Sequence, residues 1–535
     1  MKEKKTELDV LLNKAKDYFS FFQDKRYRET QKAAIEELYE SDRRIRLLNA
    51  PPGSGKSLIG MVMGYLAGGC VYLCSSKALQ DQLEEEFPEA EKIRGRSNYP
   101  CLRNRFLTAA ECIPNKKDCE FYDKCPYRLQ KERVVRAKFK ILNYAYYITE
   151  VNYVGEFKDQ PLVICDEADV LENIIVGFVK LRIYTGIVKQ FKLGAPKFKT
   201  SKAAGGIEAW KAWAASTREK LQQYTGKIQN QLVGLYEELE NSGNVEKCED
   251  EIRTQTRRKN TLNSTITGLT NLLKYADDTW LWERNEKYWE FKPVWLTEQM
   301  SNDFFLQYGK RFIFMSGTQP PLQITSKVFD IPAGDFEYME AKSSFPIENR
   351  QIILRPSYSL TKDTINTSVP DIKRSIKEIL DDHPTEKGII HTISYNLAKI
   401  VMDTNSNRLL LHDQEFKNQV MDVFVASEKP YVLVSPTIMR GVNLKDDLCR
   451  FIIWAKAPFL NLGDDVTKAR AFSGQWGNLW YKSETAQSLV QGAGRGVRHE
   501  DDWCITYVLD EKAIELIMKN PKLFPIWFRD AMVFE

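Results

Sequence analysis

The sequence predicts an α/β chain built on two parallel-sheet domains, and three observations carry that reading. Short apolar runs alternate with helical stretches in two blocks, and a glycine-rich loop with an acidic strand end lies in the first block. The length, 535 residues, exceeds one core at roughly 150 residues per domain.

The elements follow in order. In the first block Arg44 to Ala50, Cys70 to Cys74, Leu162 to Cys165 and Arg311 to Met315 read as buried strands. The second block offers Gln351 to Leu354, Gly388 to Thr392, Tyr431 to Ser435, Arg450 to Trp454 and Cys504 to Leu509. Runs this apolar, separated by helices, suit parallel sheets covered on both faces. Between the blocks Leu221, Tyr224, Ile228, Leu232, Leu235 and Leu239 recur at helical spacing. After the turn Asn241-Ser-Gly-Asn244, Leu262, Ile266, Leu269 and Leu273 repeat the pattern. A helical hairpin inserted in the first domain is expected; a coiled-coil dimerisation arm is the alternative.

Composition narrows the class. With 43% hydrophobic and 28% charged residues, the chain is no disordered tail, collagen or disulfide-stapled miniprotein. A net charge of +4 does not by itself establish a nucleic-acid partner. The four histidines (His383, His391, His412, His499) form no metal-ligand pair, which argues against histidine-based zinc hydrolysis. The charged start, Met1-Lys-Glu-Lys-Lys-Thr-Glu7, lacks the apolar region of a secretory leader. The longest apolar stretch, Leu58 to Cys74, carries Gly60, Gly64, Gly68 and Gly69 and falls short of the ~20 residues of a membrane span. It reads as helix, turn and strand. A soluble cytoplasmic protein without disulfides is expected, its ten cysteines reduced.

Ala50-Pro-Pro-Gly-Ser-Gly-Lys-Ser57 follows a strand and opens a helix, the context of a phosphate loop. Backbone N–H groups around Pro52, Gly53, Ser54 and Gly55 can wrap phosphates, Lys56 can reach the β/γ oxygens, and Ser57 can ligate Mg²⁺. The usual first glycine is Ala50 here. Val163-Ile-Cys-Asp-Glu-Ala-Asp169 sets two carboxylates at the end of an apolar strand. Asp166 would hold Mg²⁺ and Glu167 would orient or deprotonate water. Gln491-Gly-Ala-Gly-Arg-Gly-Val-Arg498 places Arg495 and Arg498 on one helical face, suited to neutralising a γ-phosphate across a cleft. A glycine turn, a solvated strand end and a basic surface turn are the plain alternatives to these three readings.

Cys101, Cys112, Cys119 and Cys125 are separated by 10, 6 and 5 residues. Zinc sites usually use pairs two to four apart, and this wider spacing suits an iron–sulfur cluster better; spacing alone leaves both open. Cys70, Cys74, Cys165, Cys248, Cys449 and Cys504 read as core residues. Residues 91 to 140 carry 14 Lys and Arg against 6 Asp and Glu, interleaved with Tyr99, Phe106, Phe121, Tyr122 and Tyr127. Cations with aromatics suit a single strand, whose stacking is worth ~1–3 kcal/mol per base. A solvated charged face is the alternative.

These motifs, in this order, resemble superfamily 2 helicases of the XPD/DinG-like branch over nearly the full length. Arg28-Glu-Thr-Gln31 looks like the branch's adenine-side motif, and Ser75-Ser-Lys77-Ala-Leu-Gln-Asp-Gln82 is similar to the one that follows nucleic-acid backbone. Ser316-Gly-Thr318 stands where the family has Ser-Ala-Thr; Thr392-Ile-Ser-Tyr395 and Arg440-Gly441-Val-Asn443 resemble the fourth and fifth motifs. Asp commonly stands where Asn443 is, and His where Asp169 is.

The resemblance implies two RecA-like motor domains: 1–90, 137–172 and 297–325 forming the first, 326–535 the second. It implies a [4Fe–4S] domain over 91–136 and a helical arch over 173–296. Glu167, Gln491, Arg495 and Arg498 would be catalytic; Arg28, Gln31 and Pro52 through Ser57 would hold ATP, with Mg²⁺ on Ser57 and Asp166. Lys77, Arg96, Tyr99, Tyr395 and Arg440 would meet DNA, and Ser316, Thr318, Gly441 and Asn443 would couple hydrolysis to movement. The expected function is an ATP-dependent, monomeric DNA helicase moving 5′→3′ on single strands and acting on junctions in repair or replication. A translocase that displaces protein or RNA, and a non-enzymatic cluster-bearing DNA sensor, are the competing expectations.

Overall fold

The computed structural model describes residues 2–103, 107–111, 119–195, 206–241, 245–361, 363–404, 407–412, 416–437, 444 and 446–535. Cys112, Arg440, Gly441 and Asn443 lie outside the described residues.

The first domain lays down β1 (Ile45–Asn49), β2 (Cys70–Cys74), β3 (Glu91–Lys92), β4 (Phe139–Asn143) and β5 (Gln160–Asp166). An inserted antiparallel sheet follows: β6 (Leu181–Tyr184), β7 (Leu281–Arg284) and β8 (Tyr288–Lys292). The chain then returns through β9 (Gly309–Ser316) and β10 (Phe336–Glu340). The completed sheet is parallel, in the order β10-β1-β9-β5-β2-β4-β3. Its central strands are mainly apolar because both faces are covered, with Arg46 and Asn49 of β1 as buried polar exceptions. Val163 and Cys165 of β5 enter one core, and Leu162 and Ile164 enter the other.

The second domain repeats the plan with β11 (Ile352–Tyr358), β12 (Gly388–His391), β13 (Leu409–Leu411), β14 (Val432–Ser435), β15 (Phe451–Trp454), β16 (Ile505–Asp510) and β17 (Met532–Phe534). Its order is β13-β14-β12-β15-β16-β11-β17, again parallel. All nine sequence-predicted strands are present. Two points of the sequence reading need correction. β10 pairs with β1, so the first sheet runs past residue 325. The 173–296 insertion also contains the β6-β8-β7 sheet and is not wholly helical.

In that insertion, helices Gly206–Asn241 and Val245–Tyr275 pack together. Leu221, Ile228, Leu232, Leu262 and Leu269 are buried in the core shared with the first sheet. Tyr224, Leu235, Ile266 and Leu273 of the same stripes are partly buried against it. The second helix also reaches the cysteine-bearing segment, where Arg257 pairs with Glu111 and Glu249 lies 3.7 Å from Arg103.

Arg470 ties the two domains. Its guanidinium donates to the Val294 carbonyl at 2.8 Å, pairs with Glu172 at 2.6 Å, and lies over the rings of Trp295 and Trp480. No helix among the described residues is long and apolar enough to cross a membrane.

Candidate active site between the two sheets

Strand order assembles the site. β1 leads into the phosphate loop, β5 ends on Asp166, and β9 lies between them, with Ser316 in register with Asn49. Ligands of open parallel sheets gather at these carboxyl ends. The loop needs glycine at two positions. Gly53 and Gly55 have φ of +73° and +79°, and a methyl on Gly55 would lie 2.3 Å from Gln31 Nε2. Helix Lys56–Leu66 then aims its N-terminus at the cleft.

Lys56 donates to the Ala50 carbonyl at 3.2 Å, and burial lowers its affinity for the proton while Asp166 opposes that shift. The Asp166 carboxylate is buried, accepts from Tyr72 Oη at 2.9 Å and from the Glu167 N–H at 3.0 Å, and burial pushes its pKa up to about 6. Lys56 works against that rise and the Glu167 charge adds to it. Tyr144 fixes the Asp166 carbonyl with a 2.8 Å bond. Glu167 sits at φ +52°, a left-handed backbone uncommon for glutamate, which turns its side chain outward, where Ser75 donates to it.

Across the cleft, helix Gly474–Ala493 and the turn after it bring Gln491, Arg495 and Arg498. They line the same cavity of about 830 Å³ as Lys56, Ser57, Asp166 and Glu167. Burial lowers the Arg498 pKa from its ordinary value. Ser54 Oγ and Arg498 Nε are buried with no hydrogen-bond partner among the described residues. The Arg498 donor, on the cavity wall with Lys56 and Arg495, fits an incoming polyanion.

Asp169 joins the halves. One carboxylate oxygen accepts from Ser316 Oγ at 2.8 Å, and the other from Gln491 Nε2 at 2.9 Å. Gln491 also reaches Thr318 Oγ1 at 3.3 Å. Where the branch usually has His, Asp offers two acceptor oxygens, one for each domain. Asp169→Ala should lower DNA-stimulated turnover roughly 10- to 100-fold, since the one bond to a charged group that crosses the cleft, from Gln491 and worth ~1.5–3 kcal/mol, no longer favours closure. Nucleotide affinity should stay within about threefold, because Lys56 and Ser57 are untouched. Steady-state kinetics beside equilibrium binding of a non-hydrolysable analogue checks both.

The other sequence-predicted residues divide. Arg96 and Tyr395 are exposed, and Lys77 is exposed and donates to Asn98 at 2.7 Å, beside the cysteine-bearing segment. Tyr99 is half-buried, its hydroxyl accepts from the Arg94 N–H at 3.2 Å, and its ring meets Tyr127; it supports the segment instead of offering an open face. Gln31 and Arg28 hold the phosphate loop: Gln31 Nε2 donates to the Ser54 carbonyl at 3.0 Å and Arg28 to the Gly53 carbonyl at 2.8 Å. Cys101, Cys119 and Cys125 are half-buried free thiols outside helices and strands, the last at the N-cap position of helix Pro126–Arg136 without a side-chain cap bond. Sequence reasoning missed Tyr72, Tyr144 and the Arg470–Glu172 pair. A phenol inside the otherwise apolar run Cys70–Cys74 was the available sign for Tyr72.

Residues 347–531 match the family model described as the helicase C-terminal domain. The chain is 20% identical over 264 residues to the ATP-dependent DNA helicase CHL1 of Saccharomyces cerevisiae strain YJM789, covering 42% of this chain and 31% of that one. It is 24% identical over 129 residues to the ATP-dependent DNA helicase YoaA of Escherichia coli K12, covering 23% and 20%. The aligned regions thus span about a third or less of these two relatives' length. An XPD helicase structure superposes with TM-score 0.61 at 16% identity, covering 95% of this chain and all of the other. Xpd4 of S. tokodaii gives TM-score 0.57 at 13%, covering 95% of this chain and all of that one. The fold is that of the XPD helicase structures, and the second domain matches a helicase C-terminal domain, in line with the resemblance to the XPD/DinG-like branch of superfamily 2.

Proposed function

We propose that the chain is an ATP-dependent DNA helicase that moves along single-stranded DNA and separates duplexes, 5′→3′ as in the branch it resembles. The observation that carries this reading is the Asp169 bridge, which ties the acidic strand end to Gln491, on the helix just before the arginine-bearing turn of the other domain. A site that only bound nucleotide would need the loop and the acid; linking them to a second domain makes closure depend on the phosphates. Arg495 and Arg498 neutralise charge developing on the transferred phosphoryl group, and Glu167 orients the attacking water. Loss of the γ-phosphate removes the anion that held the arginines, and the cleft reopens. Ser57 and Asp166 would hold a magnesium ion, which would supply further charge neutralisation at the phosphates.

Cys101, Cys119 and Cys125, with Cys112, would hold a [4Fe–4S] cluster. Leu107 and Ala109 are the buried apolar residues of the described parts of 101–125, so ligation would supply much of that segment's order.

The positive charge of residues 91–140 is partly satisfied within the protein. Asp81 pairs with Lys92 and Arg94, and Glu150 pairs with Lys131 at 2.6 Å. Lys77 and Arg96 are better placed for phosphates. With about four phosphates neutralised, log affinity for single strands should fall against log salt with slope roughly −3. Replacing Lys77 and Arg96 with Ala should flatten it by about 1.4, and binding titrations at several salt concentrations measure it. An unchanged slope would move the DNA path elsewhere.

A further inference from the structure

Tyr72 carries a phenol into the apolar core between β2 and the phosphate-loop helix. Its ring stands where Gly60 of that helix has no side chain; a methyl there would lie 2.8 Å from Tyr72 Cε2. Register sets its reach. Tyr72 pairs with Ile164 of β5, and Asp166 follows two residues along on the same face. Two residues of strand rise about 6.6 Å, a distance that a phenol ring with its hydroxyl crosses. The hydroxyl donates to Asp166 Oδ2 at 2.9 Å, while the Glu167 N–H donates to Oδ1 at 3.0 Å. Burial and the Asp166 charge push the Tyr72 phenol well above its ordinary range, and a hydrogen bond with Ser57 works against that rise. A partner that favours the phenolate is one that donates to it. The donors therefore run from Ser57 through Tyr72 to Asp166.

That order matters to a cation. Ser57 and Asp166 offer a hydroxyl and a carboxylate, hard oxygens of the kind magnesium takes. A serine hydroxyl that turns a lone pair to a cation must point its proton elsewhere, and the phenol oxygen receives it. Each Asp166 oxygen has two lone pairs, and the internal bonds from Tyr72 and Glu167 use one on each. The carboxylate is fixed in rotation with acceptor capacity to spare. We propose, on the basis of the nucleotide-site reading above, that Tyr72 is a positioning residue for magnesium: it spans the two residues that would hold the ion and sets both in place beforehand. Tyr72 is fully buried behind the cavity wall to which Ser57 and Asp166 belong, so it acts through them. Phenylalanine would fill the same volume in the core, so the hydroxyl is the group that matters.

Equilibrium binding of a non-hydrolysable ATP analogue, without metal and across a magnesium series, tests this on wild type, Tyr72→Phe, Asp166→Asn and the double variant. Tyr72→Phe keeps the ring and its seat against Gly60, so the fold should be retained. Wild type should bind the analogue more tightly with magnesium. Tyr72→Phe should need about 10- to 100-fold more magnesium for the same gain, the usual cost of losing a partner that orients a metal ligand. Its metal-free affinity should stay within about threefold, because Lys56 and the loop N–H groups are unchanged. Asp166→Asn removes the charge on which Tyr72 acts, so the double variant should fall short of additivity by about tenfold. An unchanged magnesium requirement in Tyr72→Phe, an equal loss of metal-free binding, or additive losses in the double variant would overturn the assignment. A wild type that binds the analogue without regard to magnesium would overturn the magnesium site and this proposal together. Magnesium-dependent binding without DNA-stimulated turnover would overturn the helicase reading and leave this one standing.

Discussion

Lys56→Ala and Glu167→Gln should each reduce DNA-stimulated ATP hydrolysis by at least about 10²- to 10³-fold, the usual cost of removing one preorganised group from a charged transition state. The two losses differ in kind. Lys56 faces the cavity beside Asp166, and its removal takes away a cation meant for the phosphates, so binding weakens as well. Glu167 is exposed, unlike the buried Asp166 beside it, and accepts from Ser75. Glutamine there keeps the shape but cannot take up a proton, so ATP should still bind through Lys56, Ser57 and Asp166 while turnover stops. Single-turnover kinetics with equilibrium binding separates these effects. Near-wild-type kcat in either variant, with single-stranded DNA present, would show that the cleft is not the hydrolytic site.

Cys125→Ser should lose bound iron and its broad visible absorbance, cut strand separation by at least about tenfold, and keep a substantial part of DNA-stimulated ATP hydrolysis. Cys125 stands at the N-cap position of helix Pro126–Arg136, and Ser is itself a favourable N-cap, so the helix should survive the exchange. The Lys131–Glu150 pair and the Tyr127–Tyr146 hydroxyl contact still hold that helix to the first domain. The nucleotide motifs lie on β1, β5 and β9, outside the segment between β3 and β4 that carries the cysteines. Metal analysis of anaerobically prepared wild type decides the ligand: about four irons with four sulfides for the cluster, about one zinc otherwise. Zinc without iron, or full strand separation by the variant, contradicts the proposal.

What was legible in the sequence follows from the physics of each part. Phosphate chemistry demands particular residues close together, so Gly53 to Ser57, Asp166-Glu167 and Arg495-Arg498 stand out in one dimension. The central strands are buried on both faces and therefore read as plain apolar runs. The strands missed are mostly edge strands, short or mixed in character. β3 is Glu91-Lys92, and β10 mixes buried Phe336 and Met339 with half-buried Glu337, Tyr338 and Glu340. β4, an internal strand, reads Phe-Lys-Ile-Leu-Asn, and Lys140 and Asn143 break its apolar run.

Contacts between distant segments left no local trace. Arg470 looks like any basic residue in a helix until Glu172, Trp295 and Trp480 surround it. Asp169 differs from the residue usual in the branch the chain resembles, and only the geometry shows that its two carboxylate oxygens meet Ser316 and Gln491 of the two domains. Gln31 was read by its chemistry, which suits adenine; within the chain it also meets Arg28 and Ser54.

The central claim, ATP-driven separation of DNA strands, is tested most directly by the full chain, purified without oxygen, on a duplex bearing a 5′ single-stranded tail. ATP hydrolysis is followed in parallel on single-stranded DNA, blunt duplex and RNA. The account predicts strand separation that requires ATP and vanishes in Glu167→Gln, with hydrolysis stimulated most by single-stranded DNA. Hydrolysis indifferent to DNA, or removal of a bound protein from the substrate with its strands left paired, would contradict it.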